Sequence, residues 1–121
     1  MKIKRGFVTN SSSTSFLLTC LSHAEGKDEF ICKFNSFLDD YIRKNKWRDN
    51  FQEPPKLSID MVEQTDAGTF IIKDFIPIFR GEASIPQYIK ELFIEKTGDA
   101  YDLLIAKGIN PNHMEIKDFN K

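Results

Sequence analysis

From Asp28 onward the apolar residues return with the period of an α-helix. Phe30, Ile31, Phe34, Phe37, Leu38, Tyr41 and Ile42 make one wide face, with Lys33, Asn35, Asp39 and Asp40 opposite. Asp28 and Glu29 stand near the start and Arg43, Lys44 and Lys46 near the end, the polarity that the helix dipole rewards. A face this broad and aromatic has to be covered by a second layer, and the flanking residues supply extended segments rather than further long helices.

Residues 2–8 and 16–21 read as short extended segments, and the hydroxyl-rich run between them reads as a turn, giving a hairpin. Ser22 and Glu25 have capping-box spacing, with Gly26 positioned to delay the helix. After a connection closed by Pro54 and Pro55, Leu57, Ile59 and Met61 alternate with Ser58, Asp60 and Val62 as a half-buried strand would. Asp66, Ala67 and Gly68 supply a hairpin turn into the apolar run 69–79, which Pro77 interrupts. Ser84 and Gln87 fit a second capping box, and Ile85, Ile89, Leu92 and Phe93 then form a buried helical face. Gly98 is expected to stop that helix, Asp99 to cap a shorter one, and Gly108 to end it. After the Asn110-Pro111-Asn112 turn, Met114 and Ile116 alternate in a last strand. The expected fold is α+β: an antiparallel sheet with helices on one face, ferredoxin-like (β-α-β-β-α-α-β), preceded by an extra N-terminal extended segment.

With 121 residues there is room for one domain spanning 1–121, and eleven phenylalanines supply its core. A formal net charge of -1 provides no overall field toward nucleic acid or acidic lipid. Cys20 and Cys32 belong to no metal-binding spacing, so two reduced thiols in a cytoplasmic protein are expected, with no cofactor or metal. Lys2, Lys4 and Arg5 precede Leu17-Leu18-Thr19-Cys20, but the polar run between them breaks any signal segment. No stretch approaches the length that crosses a bilayer.

Two groups of residues are candidate binding sites. Asn10, Ser11, Ser12, Ser13, Thr14 and Ser15 offer hydroxyls to an anion or to phosphorylation. Phosphate loops use glycine, lysine or a helix start, none of which occurs here, so a hydrogen-bonded turn is the simpler reading. Arg43, Lys44, Lys46, Trp47 and Arg48 combine cations with an aromatic, suited to nucleic-acid phosphates or to a protein partner's acidic surface. The alternative is a solvated helix end with Trp47 folded onto the core. His23 and His113 form no nucleophile–base motif, and Cys20 in a strand would bury its thiol. Asp60, Glu63, Asp66 and Asp74 gather at the proposed hairpin, where charges ordinarily serve solvation. Lys4 to Val8 echo an RNA-recognition signature only as far as Phe7.

The stretch Gly6-Phe7-Val8-Thr9-Asn10-Ser11-Ser12-Ser13-Thr14-Ser15-Phe16 is similar to an N-terminal signature of uncharacterised bacterial and phage proteins: FV(S/T)N, a serine run, then Phe. Thr14 departs from the all-serine run while keeping the hydroxyl. The resemblance covers the leading element alone and implies a bacterial or mobile-element accessory protein, with no activity attached. The expected function is therefore a small non-enzymatic interaction protein that regulates or inhibits a protein partner, a second copy of the chain included. Nucleic-acid binding through residues 43–48 and phosphate binding at the serine run are the alternatives.

Overall fold

A computed structural model describes residues 14–50, 55–75 and 87–118. The chain order is strand β1 (Thr14–Ser22), helix α1 (Lys27–Lys44), two single 3-10 turns (Arg48–Asn50 and Ile59–Met61) and strands β2 (Val62–Asp66) and β3 (Thr69–Phe75). A short helix α2 (Gln87–Ile89) then continues as a π-helix (Lys90–Glu95). Helix α3 (Gly98–Ala106) and strand β4 (Ile109–Asp118) follow. The four strands form one antiparallel sheet in the order β2-β3-β1-β4. The α+β class expected from the sequence is what is observed.

Alternation along the strands sends Leu18 and Cys20 of β1, Phe70 and Ile72 of β3 and Val62 of β2 into the core. Against this face α1 packs Phe30, Phe34, Phe37, Leu38, Tyr41 and Ile42, as its period requires. The Phe30 and Phe70 rings stack with centroids 4.4 Å apart, fixing the helix over the sheet centre. Leu92 and Phe93 of the π-helix and Ala100 and Leu104 of α3 close the same core. Each fully buried aromatic or aliphatic side chain contributes about 1.5–3 kcal/mol.

Several sequence expectations are corrected. Thr14 and Ser15 are strand, not turn: they pair with Asp118 and Lys117, and ladder pairing overrides their turn preference. Both edges of β1 are occupied, by β3 and β4, so the slot for a hairpin partner beside residues 16–21 is filled. The other half of that hairpin, residues 2–8, lies outside the described residues, as do Asn10, Ser11, Ser12 and Ser13. The Ser22–Glu25 capping box does not form. Ser22 Oγ instead accepts the Ala24 N–H, and Gly26 is the N-cap of α1.

The strand expected from Leu57 begins only at Val62. The side-chain amide of Asn35 on α1 takes both backbone groups of Leu57: Oδ1 accepts its N–H at 2.7 Å and Nδ2 donates to its carbonyl at 3.2 Å. With its ladder groups engaged, Leu57 is buried beside α1, while Ile59 turns outward and is 51% exposed. The second helix start, at Ser84 to Pro86, lies outside the described residues. Its closure falls at Lys96, in the left-handed region at φ 56, and not at Gly98. The Thr97 N–H reaches back to the Glu91 carbonyl at 3.1 Å, closing the wider π turn. Gly98 opens α3 and Thr97, not Asp99, is its N-cap. Gly108, at φ 84, ends α3 as expected. Pro111 is part of β4 rather than a turn, tolerated because it lies beside the bulge opposite Thr19 and Cys20, on the outermost of the described strands.

Candidate interaction surfaces

The end of α1 shows what becomes of the basic patch. Its last turn closes with Lys46 left-handed at φ 59. The Lys46 N–H bonds the Arg43 carbonyl at 3.2 Å and the Trp47 N–H bonds the Ile42 carbonyl at 3.0 Å. These are the two bonds of a Schellman closure, whose left-handed position usually belongs to glycine. The closure swings Trp47 back over the core, with its ring 5.7 Å from Tyr41 and 5.6 Å from Tyr88. Trp47 is thereby half-buried and packed against the core.

The patch then divides. Arg43 donates to Asp39 at 3.1 Å and to Asp40 at 2.8 Å, and Lys44 lies 3.6 Å from Asp99. Asp40 also receives the Lys107 ammonium at 2.6 Å, and that bond holds its carboxyl below the usual range. Lys46 and Arg48 are exposed and make no ion pair with any described residue. Together with Asp39, Ile42, Arg43 and Asp49 they line a cleft of about 320 Å³. A cation near a helix C-terminus gains about 0.3–1 kcal/mol from the dipole, whereas a left-handed non-glycine residue costs about 1–2 kcal/mol. Arg43 and Lys44 already occupy the last turn without that cost.

Of the serine run, Thr14 and Ser15 sit in β1 by their backbone. Cys20 is fully buried, and burial pushes its thiol far up, while Cys32 is exposed on α1. Both histidines are exposed. At the β2–β3 hairpin Glu63 pairs with Lys73 at 3.3 Å. Among the described residues no cluster of three or more histidine, cysteine, aspartate or glutamate side chains is placed to hold a metal. Nor is any helix among them long and apolar enough to cross a membrane.

A second surface was not legible in the sequence. Leu21, at the end of β1, and Ile105, on α3, are 41% and 40% exposed. Both line one cleft of about 530 Å³ at the sheet end, whose walls include Gly68 of the β2–β3 turn, His23 and Asn110. These residues come from separate stretches of chain that only the sheet order brings together. The outward parity of Leu21 along β1 was the one available signal. No protein-family model, no curated protein and no solved structure matches the chain.

Proposed function

We propose that this chain is a small non-enzymatic interaction protein that regulates or inhibits a protein partner. The partner docks on the cleft between Leu21 and Ile105. The observation that carries the reading is the presence of two exposed aliphatic side chains in one concave surface. Apolar anchors seated in a cleft are what binding hot spots are built from. A bacterial or phage origin rests on the resemblance of residues 6–16 alone. The strand order β2-β3-β1-β4, with every neighbour antiparallel and helices connecting β1 to β2 and β3 to β4, supports a ferredoxin-like assignment of the fold.

The test is site-specific photocrosslinking in cells that express the chain. A photoreactive residue at position 105 is expected to trap a discrete protein, and the same residue at exposed Ile59 is expected to trap none. Equal products from both positions, or none from 105, would count against the cleft.

A further inference from the structure

We propose that Lys46 and Arg48 form a second binding site, which takes carboxylates of an acidic segment on a protein partner. The proposal rests on the reading of the chain as a protein-binding module, at a surface separate from the Leu21–Ile105 cleft. Three observations meet there. Lys46 holds a left-handed position that glycine would occupy without strain, although Arg43 and Lys44 already answer the helix dipole. Its ammonium and the Arg48 guanidinium pair with no described residue. Both line a concave surface whose floor includes the nearly buried Ile42. A left-handed lysine whose ammonium bonds no described residue, beside an arginine in the same state, leaves both cations open to a ligand outside the fold.

The occupant follows from the neighbours. Asp39 and Asp49 line the same cleft and the chain carries a formal net charge of -1, so no overall field gathers a long polyanion such as nucleic acid. Trp47 packs against Tyr41 and Tyr88, so part of its ring surface is taken up inside the fold. Separated carboxylates on a peptide can reach Lys46 and Arg48 and leave the aspartates in solvent.

The experiment is an amide chemical-shift titration of the full chain with a short peptide whose glutamates are separated by neutral residues, run beside oligodeoxythymidylate at the same ionic strength. Shifts centred on Lys46, Trp47 and Arg48 that shrink with added salt are expected. Lys46→Gly is expected to weaken binding about three- to fivefold while raising the urea midpoint, because the strain is relieved as the charge is lost. Arg48→Gln is expected to weaken binding without raising the midpoint, and Lys73→Gln, remote from the cleft, to leave it unchanged. Absence of shifts, indifference to the Lys46 and Arg48 substitutions, or tighter binding of the oligonucleotide would each overturn the proposal. None of these outcomes depends on the Leu21–Ile105 cleft, so the two surfaces fail or stand separately.

Discussion

The Tyr41 hydroxyl donates to the Glu91 carboxylate at 2.5 Å, joining α1 to the π-helix across fifty residues of chain. A hydrogen bond to a charged acceptor is among the stronger single contacts available to a fold. The space for it depends on Gly98, because a Cβ there would collide with the Glu91 carboxylate. Tyr41→Phe should lower stability by about 1–2 kcal/mol in urea denaturation with an unchanged slope. Gly98→Ala should cost more, since it adds strain at φ 86 and displaces Glu91 as well. Equal stability of Gly98→Ala and wild type would mean that the Glu91 position is not fixed by this contact.

Three buried acids give the fold an alkaline limit. Burial raises the Cys20 thiol above its ordinary 9.0 and the Tyr88 phenol above its ordinary 10.0. Burial and the Glu91 carboxylate raise the Tyr41 phenol likewise. Each group keeps its proton in the folded chain to a higher pH than in the unfolded chain. Stability is therefore full below about pH 9 and declines above it, each group removing up to about 1.4 kcal/mol per pH unit. Urea midpoints measured from neutral pH upward should fall beyond about pH 9, and Cys20→Ala should flatten the first part of that fall. A midpoint that stays level up to about pH 11 would contradict the burial of all three.

The Asn35 amide is the device that displaces β2 from its expected start. Asn35→Ala leaves the Leu57 N–H and carbonyl without their side-chain partner. A loss of about 2–3 kcal/mol is expected, with Asn35→Asp recovering part of it through the acceptor oxygen. Thermal unfolding of the three proteins ranks them, and an Asp variant no better than Ala would show that the donor bond dominates.

This same residue marks where the sequence stops being readable. The face of α1 was legible because periodicity is local and all seven apolar positions answer to one layer. Gly68 and Gly108 were legible for a similar reason, as turn chemistry is written in a few adjacent residues. Asn35 looked like one more solvent-facing polar residue, since nothing local announces a bond to a backbone twenty-two positions away. Lys96 and Lys46 carry left-handed turns that glycine usually signals, so the sequence points to Gly98 for a closure that falls at Lys96. In the basic patch, composition revealed the cations but not that Asp39, Asp40 and Asp99 would claim Arg43 and Lys44. The Leu21–Ile105 cleft depends on strand order, which no local pattern encodes.

The two thiols separate cleanly by environment. Cys32 is exposed and Cys20 has no accessible surface. A thiol-reactive dye should label one cysteine rapidly in the native protein, and Cys32→Ser should abolish that reaction. Cys20 should react only at the rate of unfolding or after denaturant is added. Rapid labelling of both would place β1 outside the core and remove the basis of the sheet register.

The most direct measurement is affinity capture with quantitative mass spectrometry, followed by binding of the purified partner to wild type and to Leu21→Lys/Ile105→Lys. Both substitutions fall on exposed positions, and an unchanged urea midpoint establishes that the variant is folded. The expected result is one protein enriched by wild type, binding it directly, with affinity for the variant reduced by about a hundredfold. Enrichment of nothing above background, or equal affinity for the folded variant, would contradict the assignment of this cleft as the partner's docking site.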